Sequence, residues 1–467
     1  MKIPLVGASN PMRSLPFDAQ RTINLFPVLD QQGKEVSSLY GTPGLSLFAT
    51  CGAGPIRGVF NSTKGRAFVV SGNGFYEITS SVGVTQLGTL TTSTGAVTID
   101  ENTTQLAVCD GDKVFILTYA TNIFAVVSDA DLPSAGTLTF IDSYFVINKN
   151  NTGSFYISAP NDGTSWAALD FASAESSPDN ISRVLNAVGQ LWLFGTKTTE
   201  IFTDTGAASF PFQRIAGAKL EVGILAPYSA IPADNSVIWV GQDSYGSGIV
   251  YRAQGFTPQR ISNDAVEYAI RQASSQSTMR SYTYQQEGHA FYVLTGGGLA
   301  TTWVYDLTTQ LWHERAFLNS SGLYEQHLSN CGMYAFGKQL VGSRLTGAIY
   351  EMSLDVYSDN GLPLRRERVH PHISNENDQI RYKQLEIALE TGVGLQSGQG
   401  SNPVISLQVS SDQGRTYSNE YQVNIGAVGK YGATARWRRL GISTDVVFKV
   451  FMTDPVKCTW IGSYLDA

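Results

Sequence analysis

Charge is scarce in this sequence. Only 15% of its 467 residues are Asp, Glu, Lys or Arg, against roughly a quarter in an ordinary soluble domain. The surface must therefore be covered largely by Ser, Thr, Asn, Gln and Gly. Such surfaces suit large assemblies, where charges would have to be desolvated at each contact. Basic residues are the rarer sign, 32 against 39 acidic ones, for a net charge of −7. A nucleic-acid binder needs a basic stripe to neutralise phosphates, and none is visible along the chain. DNA that passed close to this protein would slide past it rather than be gripped.

Cysteine is nearly absent too. Cys51, Cys109, Cys331 and Cys458 lie far apart with no C-x-x-C pair, which excludes a dense disulfide framework. We expect four reduced thiols, mostly buried as small apolar side chains. No stretch approaches the ~18 apolar residues that span a bilayer. Residues 1–11 lack the basic and apolar regions of a signal peptide. A soluble protein made in a cytoplasm, with no membrane insertion, is expected. Catalytic templates are missing as well. The five histidines, His289, His313, His327, His370 and His372, form neither H-E-x-x-H nor a Cys/His metal spacing. There is no G-x-S-x-G elbow, and GTKTTEIF lacks the G-K-[ST] of a phosphate loop. Gly296-Gly297-Gly298 lies inside a hairpin pattern and reads as a turn. The expectation is no catalytic, cofactor or metal residue, and no enzyme.

What the sequence does have is a repeat. An apolar run, a turn of Gly, Asn or Asp, and a second apolar run recur seven times between residues 56 and 357. The copies begin at Ala67, Gln105, Ser143, Gln190, Ser236, His289 and Gln339. Val, Ile, Phe, Tyr and Trp fill the runs, and they suit a pleated, half-buried surface. Gly-Asn-Gly at 72–74 and Asp-Gly-Asp at 110–112 supply the turn conformations of tight hairpins. A spacing of about 40–50 residues is that of a four-stranded propeller blade, with pieces such as 84–90 and 210–217 as outer strands. We therefore expect an all-β chain. Residues 56–357 form a β-propeller of about seven blades, or six with an atypical seventh. Residues 1–55 are an N-terminal arm whose segments 22–29 and 39–50 complete the last blade. Residues 358–378 are a linker, and 379–467 a C-terminal β-sandwich-like domain. One stretch, 262–274, breaks the pattern. Asp264 and Glu267 read as a capping box, and Val266, Ala269, Ile270 and Ala273 share a helical face. It reads as a helix between blades five and six that either caps the ring edge or docks a partner.

Two motifs stand out in the C-terminal part. SSDQGRTY (410–417) resembles the Asp-box of sialidases and other propellers. Its expected role is structural: Asp412 accepts N–H groups across the turn, Gly414 supplies the backbone freedom, and Tyr417 packs beneath. ARWRRL (435–440) is the densest cationic spot. Strand alternation would put Arg436 and Arg438 on one face, and Trp437 and Arg439 on the other. It reads either as a solvated edge strand with Trp437 in the core or as a protein interface, since Arg and Trp are enriched at binding hot spots. Arg365 and Arg366, in the basic linker, join Arg436, Trp437, Arg438 and Arg439 as candidate interface residues.

In their order along the chain, several segments resemble the tail-hub, or packaged-DNA-stabilising, proteins of short-tailed phages. They are SLYGTPGLSLF, GPIRGVF (54–60), AESSPD (174–179), FGTKTTEIFTDTGA (194–207), WVYDL (303–307), LEIALETGVG, SSDQGRTYS and RWRRLG. The resemblance implies a structural virion protein assembled in the bacterial cytoplasm and located in the tail. Its subunits would form a ring, as a hexamer, below the portal and its adaptor. They would close the channel over packaged DNA and anchor a tail needle or plug and tailspike or fibre proteins. An acidic channel wall would repel phosphate and let DNA leave. The competing reading is a glycan-binding or sialidase-like propeller.

Overall fold

The computed structural model describes residues 1–30, 36–174, 178–207, 209–376 and 378–467. Positions 175–177, within the AESSPD segment, and Asn377, within the expected linker, fall outside the described residues.

The apolar runs owe their density to burial on both faces. Strand Ala67–Ser71 is buried at every position. Phe68 and Val70 point one way, into a cluster with Leu106 and Val108. Ala67 and Val69 point the other way, into a cluster with Leu340 and Ile349. Successive side chains leave a strand on opposite sides, so a strand covered on both reads as a continuous apolar run. Strand Gln105–Cys109 repeats this: Leu106 and Val108 face backwards, and Ala107 and Cys109 face forwards. Each such side chain contributes on the order of 1.5–3 kcal/mol when fully buried.

Among the described residues seven blades result, each of four strands except blade five, whose inner strand is split in two. Each sequence copy is the middle hairpin of one blade, from Ala67–Ser71 and Gly74–Ile78 in blade one to Lys338–Ser343 and Ala348–Ser353 in blade seven. Segments Val84–Thr89 and Phe212–Leu220 are outer strands, as expected. Seven apolar clusters fill the joints between neighbouring blades. The ring closes through Gly44–Thr50, which pairs antiparallel with Ala348–Ser353 as the outer strand of blade seven. The helix, Asp264–Gln272, lies between blades five and six. Its N-cap is Asn263, whose side chain accepts from Val266 N, rather than Asp264. Glu267 instead accepts from Ser262 Oγ and Arg260 Nε. Val266 and Ile270 enter the core between the two blades, so the helix covers that gap.

Segment 22–29 does not complete the last blade. Strand Arg21–Ile23 lies between the outer strand of blade six (Leu311–Leu318) and strand Arg366–Val369. Leu25–Leu29 pairs with Ser37–Gly41, which joins Thr459–Asp466. These N-terminal strands complete the C-terminal sandwich. One of its sheets runs Leu25–Leu29, Ser37–Gly41, Thr459–Asp466, Ile380–Leu389, Ala435–Ser443. The other, from Arg366–Val369 through Asp445–Met452 and Val404–Ser410 to Tyr421–Asn424, is continuous with blade six. The 358–378 segment is correspondingly no simple linker. Arg366–Val369 is buried throughout and forms the centre of that continuous sheet. Its cationic sequence masks this, because each charge finds an internal partner. Arg368 donates to Leu5 O (2.6 Å), Thr22 Oγ1 (3.0 Å) and Gln20 Oε1 (2.8 Å). Glu314 of blade six accepts from Arg21, Ser9 and Thr301. Burial alone would raise the Glu314 pKa, but Arg21 and these hydrogen bonds hold it below the usual carboxylate range.

Asp359 is less well matched. It is fully buried beside strand Gly44–Thr50, and neither carboxylate oxygen has a hydrogen-bond partner. Burial pushes its pKa up to about 7, against the pull of Arg366 and Arg315.

Two outcomes follow. Leu45, buried in the closing strand, should cost about 2–5 kcal/mol when changed to Ala. Removing residues 1–50 should abolish a cooperative melt, because the ring loses its closing strand and the sandwich loses Lys2–Ile3, which pairs with Thr459–Asp466, together with Arg21–Ile23, Leu25–Leu29 and Ser37–Gly41. Differential scanning calorimetry reads both. For Asp359, the folded chain keeps its proton to higher pH than the unfolded chain does. The stability that this proton linkage supplies is therefore fully present below about pH 4 and is lost as pH rises through about 7. Relative to the wild type, Asp359→Asn should gain stability across that interval and show a constant difference above it. Guanidinium denaturation at several pH values checks this, and a difference independent of pH would show that the carboxyl is ionised throughout.

Candidate interaction site

The cationic strand Ala435–Ser443 is the edge of its sheet, paired on one side only, with Ile380–Leu389. Trp437 points into the sandwich core and donates from Nε1 to Tyr421 O at 2.7 Å. It is therefore a packing residue, and its role as an accessible interface side chain is corrected. Arg436 lies alongside Glu386, with Nη2 2.8 Å from its carboxylate. Arg438 is exposed, and its Nε donates to Gln384 Oε1 at 3.3 Å. Arg439 departs from simple alternation. The register shifts opposite Tyr382 and Gln384, Arg439 adopts φ +62°, and its side chain is exposed. A bulge of this kind re-aims a side chain. It delivers Arg438 and Arg439 to the same solvent edge, where Arg439 joins Arg381, Lys383 and the half-exposed Ile442 around a shallow depression of about 400 Å³.

Arg365 and Arg366 do not join this surface. Arg366 is fully buried and donates to Asp454 O and Tyr357 O. Arg365 lies over Phe451, 3.8 Å from the ring centroid, and pairs with Glu367 at 3.1 Å. Both bind the two halves of the chain to each other. Sequence alone reads them as surface charge because Arg is rarely buried without several partners, and Phe451 and Asp454 lie far away in the chain.

The Asp-box turn is built as its residue types imply. Asp412 accepts from Thr416 N (2.9 Å) and Thr416 Oγ1 (2.6 Å), and Ser410 Oγ donates to it (2.7 Å). These hydrogen bonds hold the carboxyl at about 2. Gly414 has φ +84° and donates its N–H to Ser410 Oγ. Tyr417 carries Lys449 over its ring at 3.8 Å. Gly414, Tyr417 and Lys449 also line a groove of about 510 Å³ between the helix, blade six and the sandwich, with Tyr268 and Trp303 opposite. No local pattern signals this groove, because its walls come from seven separated stretches of chain.

The central channel was not legible either. It is a cavity of about 430 Å³ lined by the innermost strand of every blade. Arg57, from the GPIRGVF segment, lies here and spends its five N–H groups on Gly72 O, Thr92 O, Thr92 Oγ1, Thr94 O and Gly95 O, all at 2.7–3.0 Å. Among the described residues no cluster of three or more His, Cys, Asp or Glu could hold a metal ion. His313, His327 and His370 are buried, and burial holds each at about 3. Such neutral rings are packing groups, poorly suited to proton transfer near neutral pH. The thiols of Cys51, Cys109, Cys331 and Cys458 are all unbridged, and burial pushes each up to about 12. No helix among the described residues is long and apolar enough to cross a membrane.

No curated protein matches the chain. Solved structures resemble it in architecture only. The extracellular domain of a one-component system from B. thetaiotaomicron aligns at 10% identity and TM-score 0.45, over 82% of this chain and 47% of that one, so the chain spans about half of it. Virginiamycin B lyase from Staphylococcus aureus aligns at 9% identity and TM-score 0.43, over 70% of this chain and 98% of that one. The N-terminal domain of Nup159 aligns at 10% identity and TM-score 0.40, over 76% and 98%. The family comparison is decisive. The family described as bacteriophage P22 Gp10, β-propeller, matches residues 1–357, and that described as bacteriophage P22 Gp10, β-sandwich, matches residues 365–467. The chain thus belongs to the bacteriophage P22 Gp10 family of phage tail structural proteins, the tail-hub and DNA-stabilisation proteins of short-tailed phages.

Proposed function

We propose that this chain is a head-completion hub that closes the portal channel over packaged DNA. Subunits assemble as a ring, six in number, on the portal and its adaptor. The ring then anchors the tail needle or plug and the tailspikes or fibres. The observation that carries this reading is that the two family matches cover both the propeller and the sandwich in the same chain. Three features are consistent with a mechanical role. Blade six and one sandwich sheet are continuous, so load on one half passes to the other through backbone hydrogen bonds. The net charge of −7 disfavours a grip on phosphate. The Asp-box groups satisfy one another and leave nothing aimed at a sugar.

We assign partner contact to the cationic edge at Arg438 and Arg439, with Arg436 behind it. An unpaired sheet edge is sticky unless charged or covered, and here it is charged. Acidic surface on a partner would complement it and speed encounter.

The double change Arg438→Glu and Arg439→Glu should leave folding stability within about 0.5 kcal/mol, as for exposed sites in general. It should nevertheless reduce the chain's incorporation into virions. Cryo-electron microscopy of the phage tests the larger reading: this chain should appear as a ring between the portal adaptor and the distal tail. Virions that lack the chain would sink the hub assignment.

A further inference from the structure

The axis of the propeller is built as a basic pocket. Arg57, Arg183 and Arg280 occupy the second, third and second positions of the innermost strands of blades one, four and six. All three line the same channel, and each is close enough to Tyr228 to act on its charge. Tyr228 lies among them, with the Arg183 guanidinium 5.6 Å from its ring centroid. Arg57 and Arg280 are close enough to oppose each other's charge.

Arg57 is fully hydrogen-bonded, but the other two are not. Arg183 Nε and Nη1 and Arg280 Nη1 are closed off from bulk solvent and have no hydrogen-bond partner. Neither residue forms an ion pair with a carboxylate among the described residues. The lone aspartate of the channel wall, Asp100, is already occupied: it accepts from Phe140 N (2.7 Å), Glu101 N (2.9 Å) and Thr139 Oγ1 (3.1 Å). Burial lowers the pKa of both Arg183 and Arg280, and it pushes Tyr228 up to about 12. The wall thus carries three cations against one committed anion. Buried donors without acceptors are costly, and the planar fork of Arg fits an oxyanion.

We infer that the central channel binds a small tetrahedral oxyanion, of the phosphate or sulfate kind, between Arg183 and Arg280. Such an ion would accept the orphan N–H groups and relieve the repulsion between Arg57 and Arg280. It would also link blades four and six past blade five, and so stiffen the ring from the inside. The burial of these donor atoms suits a small free ion, because a nucleic-acid strand could not reach them.

The full-length wild-type chain would be crystallised without phosphate or sulfate and soaked in sodium selenate. An anomalous peak within hydrogen-bonding distance of Arg183 and Arg280 is expected, and it should disappear when inorganic phosphate competes. In solution, thermal melts at fixed ionic strength should show a rise in Tm with phosphate over chloride. Arg183→Met and Arg280→Met should each weaken the phosphate response by at least about tenfold in concentration, the loss of one charged hydrogen-bonding partner. A channel that holds only water in the selenate soak would overturn the inference even if a variant failed to fold. An equal response to phosphate in wild type and variants would overturn it as well. Neither result bears on assembly into the virion, so the hub assignment stands or falls separately.

Discussion

A blade that is apolar on both faces has no stable existence alone, and everything else in this protein answers that constraint. Phe68 needs Leu106, and Val69 needs Leu340, so each sheet waits on two neighbours. Only a closed ring supplies a neighbour for all seven. The closing contact is the pairing of Gly44–Thr50 with Ala348–Ser353, strands about 300 residues apart in the chain. Loop closure over that length is entropically unfavourable but grows only slowly with length. A ladder of backbone hydrogen bonds and two flanking apolar clusters outweigh it.

The same N-terminal segment ties the ring to the sandwich. Residues 21–50 pass from the edge of blade six, through the sandwich, to blade seven. Folding of the two halves is therefore one problem rather than two. The joint is held by buried charge, Arg21 with Glu314 and Arg368 with backbone carbonyls and polar side chains, rather than by apolar packing alone. Breaking a buried pair leaves an uncompensated charge and is strongly unfavourable. Removing one partner would be felt across the joint.

Much of the ring could be read from residues alone. The seven hairpins, their turns and the helix at 262–274 announce themselves through local chemistry: β-branched and aromatic runs, Gly-Asn-Gly, and an amphipathic period. The strand-order detail did not. Leu25–Leu29 has the composition of any buried strand, and nothing local decides whether it pairs within the propeller or the sandwich. Arg366 and Arg368 carry the signature of solvent, and only their distant partners make burial tolerable. Arg439 shows the same limit on a smaller scale. Alternation places it beside Trp437, and a one-residue bulge turns it outwards.

By itself, then, the sequence determined the all-β class and the repeat, because these depend on side-chain types over short spans. The tertiary structure decided which strand closes the ring, which arginines are buried, and which inner-strand arginines line the central channel. Those outcomes depend on which residues become neighbours, and pairing across hundreds of positions leaves no mark in the local pattern.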